Sequence, residues 1–436
     1  SVQGLRWLSV VVQWHASRSK DRRMAEEEEQ FAADATLVAA NVPLDEAYTR
    51  AALSANCKFN PLVLNSLMES MKAQSHNFSV EAPGCHPTTF TSRIDDVHAR
   101  VLCQAFATRA RFLVKLDLSH NLLTDAGAEQ LASGLLSQGA DALESLSLKA
   151  NSIGAVGCEA LCQGLRSCPS IRSVDLSRNP LERPGGLIVV EFLKETTNLA
   201  ELILADTEID IDVLVAIATA LLVGYPTPPK LKVCNIENPR IGTLQEEHTV
   251  HFGRMLRVNT HLSEIYLGKH RMRDEGVRQL VSFLVENKTL RVLDLRCNEL
   301  GVAGAQHIGT LLRDDCQLAL LNLTSNRIGE KDNVDGARAI AEALLSNRML
   351  RYLNVDCNEL CGEALGFFAD AIANNSTLES VALFHNKWDQ PSSRKFHEIL
   401  ADQSRILPLR TDFVTSQVDD RIDVCKLHDF ELRPQG

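Results

Sequence analysis

One eleven-residue frame governs this chain: L-x-x-L-x-L-x-x-N-x-L. It first appears as Leu113/Leu116/Leu118/Asn121/Leu123 and then at Leu143/Leu146/Leu148/Asn151/Ile153 and Ile171/Val174/Leu176/Asn179/Leu181. The Asn is lost in the next three copies, where Thr207, Pro239 and His270 stand in its place. It returns in the last four, at Asn298, Asn326, Asn358 and Asn386. The steps between these positions are 30, 28, 28, 32, 31, 28, 28, 32 and 28 residues. Ten copies in register require a stack of similar units, because self-similarity at such a period is the mark of a solenoid.

Each unit has two halves. The x-L-x-L-x core alternates with period two, so it predicts a short strand with its leucines on the buried side. Stretches such as Gly127-AEQLASGLL, Gly276-VRQLVSFLV and Gly336-ARAIAEALL follow, with apolar residues at i, i+3, i+4 and i+7. That spacing predicts a helix with one buried face. A strand and a helix in about 28 residues make one coil of an α/β horseshoe, with parallel strands on the concave face and helices on the convex face. The Asn is placed to cap backbone groups where the chain leaves the strand, and a ladder of such residues would bond coil to coil. Aromatic residues are only 5% of the chain against 45% hydrophobic, as expected of thin layers filled by Leu, Ile and Val.

The motif resembles the long, ribonuclease-inhibitor-type subclass of leucine-rich repeats over about residues 74–404. The resemblance implies an α/β leucine-rich-repeat solenoid. It says little about function, because this scaffold serves many partners.

The expected organisation is a leader and acidic segment over 1–43, and a helical N-terminal cap with a degenerate half-repeat around Phe78 and Val80 over 44–112. Ten repeats with a capping helix follow over 113–404, then a tail over 405–436 with a hairpin turning near Asp419-Asp420. Residues 1–23 carry five basic residues and one acid and read as a translated leader, with Met24 as the natural start; MAEEEE (24–29) reads as a solvated acidic tail. No apolar run is long enough to span a membrane.

The chemistry expected is binding. The net charge of −11 argues against nucleic acid as the main partner, because phosphate recognition needs a basic face. There is no G-x-x-x-x-G-K-[ST], G-x-S-x-G or H-E-x-x-H signature, and hence no expected catalytic residue, cofactor, metal or small-molecule substrate. His248 and His251 read as a solvent-facing pair, and Cys158 and Cys162 as helix packing. The twelve cysteines, with no C-x-x-C pair, read as buried reduced thiols of an intracellular protein. Asn287-Lys-Thr and Asn375-Ser-Thr fit the glycosylation pattern, which a cytosolic protein does not use. Ran GTPase-activating proteins share this repeat class and acidic charge; Arg183, in NPLERPGG, is the nearest counterpart to their catalytic arginine, and a turn residue is the preferred reading.

In a horseshoe the x positions of x-L-x-L-x face the concave side. Toward the C-terminal half they bring Val292, Leu320 and Tyr352 into consecutive coils, flanked by Tyr266 and Phe384 and by the polar column Asp294, Asn322 and Asn354. This predicts an exposed apolar stripe that captures a protein partner, unless the tail, with Phe413 and Val414, folds over it. GYPTPPK (224–230) and GEKDNVDG (329–336) depart from the rhythm and are candidate docking loops. The Tyr48…Cys57…Pro61 segment and the DFVTSQVDDRIDV tail resemble ciliary repeat proteins. That implies an axonemal or basal-body setting, such as a radial spoke or dynein-regulatory complex, with a cytosolic or nucleolar regulator and a GTPase activator as alternatives.

Overall fold

The computed structural model describes residues 42–73, 76–85, 92–223, 229–242, 246–313, 316–402 and 408–433. The leader, MAEEEE and most of GYPTPPK therefore lie outside the described residues.

Twelve strands form one parallel sheet in strict chain order. Strand β1 (Phe78–Glu81) belongs to the half-repeat, and β2 (Leu113–Asp117) opens the first full coil. The series runs through β3 (Ser145–Ser147), β4 (Ser173–Asp175), β5 (Glu201–Ile203), β6 (Val233–Asn235), β7 (Glu264–Tyr266) and β8 (Val292–Asp294). It continues with β9 (Leu320–Asn322), β10 (Tyr352–Asn354), β11 (Ser380–Ala382) and the two-residue β12 (Arg410–Thr411). Neighbours pair without slippage beyond β2, so Ile265, Leu293, Leu321 and Leu353 lie side by side. Their central leucines are fully buried and their flanking residues point to the other face. A helix follows each full repeat strand. Parallel strands sit about 4.8 Å apart while packed helices need about 8–10 Å, so the stack bends with the strands inside. The fold is the expected leucine-rich-repeat horseshoe.

The Asn ladder is present in detail. Asn298 Nδ2 donates to Leu267 O of the preceding coil (3.0 Å), and its Oδ1 accepts from Met272 N (3.0 Å). Asn121, Asn151, Asn179, Asn326 and Asn386 repeat both bonds. In nine coils the residue before this position is a non-glycine with φ between +52° and +59°, from His120 to Cys357. That left-handed backbone is costly for most residues. The ladder bonds made by the next residue help to hold it.

A second ladder went unrecognised in the sequence. Asn259, Asn287, Asn347 and Asn375 sit three residues before the first leucine of their repeats, at the turn from helix to strand. Asn287 Nδ2 donates to Leu256 O of the preceding coil, and its Oδ1 accepts from Thr289 N (2.9 Å) and Leu290 N (2.7 Å). Asn375 does the same with Leu344 O, Thr377 N and Leu378 N. Both sequon asparagines are thus buried structural caps.

Aromatic rings collect at the two ends, where the stack must be sealed. Tyr48 lies on the first helix, α1 (Leu44–Ser54), and packs with Phe106 at 6.3 Å; Phe78 packs with Phe106 at 5.3 Å. The last part of the expected helical cap is an α-helix over Asp96–Phe106, with a 3₁₀ segment, Ala107–Phe112, after it. At the other end Trp388, Phe396 and Phe413 meet edge to face at 4.8–5.5 Å. Asp412 closes the sheet by accepting Leu383 N and Phe384 N on its carboxylate. Strands β13 (Phe413–Val418) and β14 (Arg421–Lys426) then form an antiparallel hairpin that turns at Asp419 and Asp420.

Candidate functional site

The concave wall is set by register. Glu264, Val292, Leu320, Tyr352 and Ser380 form one row across β7 to β11, and Tyr266, Asp294, Asn322, Asn354 and Ala382 form the next. The eight residues picked from sequence therefore lie together, with Phe384 just beyond β11. Their exposure differs from expectation. Val292 (3%) and Leu320 (9%) are buried, as are Asp294 and Asn322, while Tyr266, Tyr352, Asn354 and Phe384 are half-buried. The stripe is not an open apolar surface.

The tail lies over this wall, by a different segment from the one expected. Phe413 is buried in the terminal aromatic cluster and Val414 faces solvent, so neither covers the stripe. Residues 427–433 return to the wall instead. Leu427 N donates to Asp412 O (2.8 Å), and Arg410 on β12 donates to Glu431 O (2.6 Å). Arg433 then donates to Glu264 Oε1 on β7 (3.1 Å). A strap thus spans from β12 back to β7, across the strands that carry Val292, Leu320 and Tyr352. Arg433 joins a small polar group, since Tyr266 donates its hydroxyl to Glu264 Oε2 (2.8 Å). Burial and the neighbouring Glu264 carboxylate push the Tyr266 phenol well above its usual range. Tyr352 donates to Glu379 (3.0 Å) and shifts the same way.

Next to this row lies a charge clamp that sequence reading missed. Arg296 forks onto Glu237, with Nε to Oε1 at 2.6 Å and Nη2 to Oε2 at 2.7 Å. The two residues are two coils apart, and the intervening coil carries Gly268 at the equivalent position. A Cβ at Gly268 would stand 2.3 Å from Glu237 Oε1, so the glycine leaves the passage open. Asp294 lies beside the clamp, accepting from Arg296 N (2.9 Å) and Asn322 Nδ2 (2.8 Å). Burial raises the Asp294 carboxyl to about 6, partly opposed by the Arg296 guanidinium. The signal in the sequence was a Glu, a Gly and an Arg in one column of three successive coils.

Other candidates fall elsewhere. His248 is buried rather than solvent-facing, and it packs on His270 at 5.3 Å instead of pairing with half-buried His251. His270 occupies the Asn position and donates from Nε2 to Ile236 O (2.9 Å), as an Asn would. Among the described residues, both nitrogens of His248 and Nδ1 of His270 have no hydrogen-bond partner. Burial lowers the two imidazoles to about 4 and about 3. Cys158 and Cys162 are buried on one helix, as expected, but Cys85, Cys357 and Cys425 are exposed and Cys57, Cys297 and Cys361 half-buried. Arg183 is held by Asp212 (2.6 Å) and Asp210 (3.6 Å). Among the described residues, no helix is long and apolar enough to cross a membrane.

Comparison with known proteins agrees with this geometry. The family described as "Leucine Rich repeat" matches residues 109–132, 143–162 and 286–309. Leucine-rich repeat-containing protein 34 of Mus musculus is 29% identical over 219 residues, covering 50% of this chain and 51% of that protein. Ribonuclease inhibitor of Mus musculus is 30% identical over 234 residues, covering 53% of this chain and 49% of that protein. The chain thus spans about half the length of the curated relatives it matches. Among solved structures, an internalin from Listeria monocytogenes covers 78% of this chain and 87% of its own, at 14% identity and a TM-score of 0.40. The repeat frame, the coil-by-coil sheet with its Asn ladder and the matched repeats together make the chain a leucine-rich-repeat solenoid, similar in sequence to leucine-rich repeat-containing protein 34 and to ribonuclease inhibitor.

Proposed function

We propose that this protein is a non-enzymatic scaffold that holds a protein partner on the C-terminal half of its concave wall. The observation that carries this reading is the row of Val292, Leu320 and Tyr352 with Tyr266 in the adjoining row, which joins apolar and phenolic surface to the Glu237–Arg296 clamp on one sheet. Aromatic and arginine side chains amid apolar neighbours are the usual anchors of protein interfaces. The strap is part of the reading: a partner must displace Arg433 from Glu264, and in doing so it uncovers Leu320 and Val292. No membrane, nucleic-acid or small-molecule ligand enters this reading, which rests on the apolar, phenolic, amide and carboxylate side chains that line the described wall.

The setting we propose is a ciliary or axonemal assembly, such as a radial spoke or dynein-regulatory complex. It rests on the resemblance of the Tyr48–Pro61 segment and the tail to ciliary repeat proteins. A cytosolic or nucleolar regulator is the second reading, favoured by the similarity to ribonuclease inhibitor. Fractionation of ciliated cells separates the two. The protein is expected with salt-resistant axonemes; recovery in nuclei or cytosol alone would reject the axonemal setting.

A further inference from the structure

The rim above the last two repeats brings together three different metal-binding side chains. Asp356 and Cys357 follow β10, and His385 follows β11 one coil later. One ligand atom from each lies within 4.8 Å of the other two. His385 is held from two sides by Asp356: its backbone N–H donates to Oδ1, and its Nδ1 lies 2.8 Å from Oδ2. The Cys357 Sγ is 3.9 Å from the same Oδ2. Cys357 and His385 both face solvent, so an ion has access.

We propose that Asp356, Cys357 and His385 bind one divalent ion of the zinc class. Metal–ligand distances of about 2.0–2.3 Å in a tetrahedron place ligand atoms about 3.3–3.8 Å apart. The observed 2.8 and 3.9 Å separations bracket that range, so side-chain adjustment of well under 1 Å at these two contacts admits the ion. The donor set selects the metal. A thiolate with an imidazole and one carboxylate suits Zn²⁺ or Co²⁺ and disfavours Ca²⁺ and Mg²⁺, which want oxygen alone. Water completes the fourth position. The ion takes the place of the proton between Nδ1 and Oδ2; that proton moves to Nε2, and the thiol proton goes to solvent. Lys426 Nζ, 3.5 Å from Nε2, must swing away, which its exposed position on the hairpin allows. One proton is released per ion, so affinity rises about tenfold per pH unit while the free thiol is protonated. This site is independent of the scaffold reading.

The test is titration of the reduced full chain with Co²⁺, following the thiolate-to-cobalt charge-transfer band. The wild type and a Cys297→Ser control are expected to show one equivalent of this band. Cys357→Ser should abolish it, and His385→Ala should weaken binding at least tenfold. A band unchanged in Cys357→Ser or His385→Ala overturns the proposal. A second readout uses the wild type alone: Zn²⁺ should slow iodoacetamide labelling of Cys357 at least tenfold while sparing Cys85 and Cys425. Equal protection of all three, or of none, also overturns it.

Discussion

The early and late coils close the same turn by different means. Where helix gives way to strand in the second and third full coils, the backbone bonds to itself: Leu143 N donates to Ala140 O (3.1 Å) and Ile171 N to Cys168 O (3.2 Å). In the late coils a buried Asn side chain takes over, and it also reaches the preceding coil through Leu256 O or Leu344 O. The early half is joined through one ladder of asparagines, and most of the late half through two. The concave wall differs in the same sense, from Lys115, Ser145 and Ser173 early to Val292, Leu320 and Tyr352 late. The doubly tied half is the one that carries the apolar row and the strap. A rigid face loses little freedom when it docks, which favours binding there.

The comparison can be broken most sharply at the second ladder. Asn375→Ala leaves Leu344 O, Thr377 N and Leu378 N without their side-chain partner. Unpaired buried groups cost about 1–3 kcal/mol each, and partial relaxation brings the expected loss to about 3 kcal/mol. Cys168→Ala, at the equivalent early position, should cost about 1 kcal/mol, since its thiol contacts to Leu136 O and Gly164 O are long. Urea unfolding of both variants checks the difference; equal losses would remove the distinction between halves.

The middle coils sharpen it through pH. His248 and His270 are buried neutral, with values of about 4 and about 3 in the fold against about 6.5 unfolded. Lowered imidazoles give stability that is complete above about 6.5 and lost as pH falls toward 4, at up to about 1.4 kcal/mol per pH unit for each ring. Asp294 acts in the opposite sense. Raised to about 6, it favours the fold as pH drops from 6 toward 4, and burial raises Asp412 in the same sense. His270→Asn, which restores the repeat's own residue, removes one of the two lowered imidazoles and should therefore shift the slope of stability against pH between about 6.5 and 4.5 toward acid tolerance, by up to about 1.4 kcal/mol per pH unit. Thermal unfolding between pH 4.5 and 7 reads this directly. A variant with the wild-type slope would contradict the assignment.

The smallest expected effect concerns the strap. Arg433 is half-exposed, so Arg433→Ala should change stability by less than about 1 kcal/mol. It should nonetheless speed hydrogen exchange across residues 427–433 severalfold, because one anchor of the strap is gone. Unchanged exchange would mean that Arg433 does not hold the segment.

The horseshoe was legible in the sequence because each coil repeats the same local rule, so ten weak signals add. The eight wall residues followed from register alone. Their burial did not, nor did the return of residues 427–433 to this wall, which is a contact between distant parts of the chain; Arg433 and Glu264 are 169 positions apart. The second ladder was hidden by the chemistry of asparagine itself. Asn287 and Asn375 sit in N-x-T and read as surface sequons, although N-x-x-L recurs before four of the repeat leucines. His248 misled for a related reason: H-x-x-H spacing reveals nothing of the neighbouring coil, where His270 fills an Asn position.

The central claim is that the late concave wall captures a protein. It is tested most directly by affinity capture from axonemal extract with three baits of the full chain: wild type, Tyr352→Asp with Tyr266→Asp, and Ser145→Asp with Ser173→Asp, each checked for unchanged helical circular dichroism. The account predicts a set of proteins held by the wild type and by the early-coil variant and reduced at least tenfold with the Tyr352/Tyr266 variant. Equal capture by all three baits, or loss with the early-coil variant instead, would contradict it.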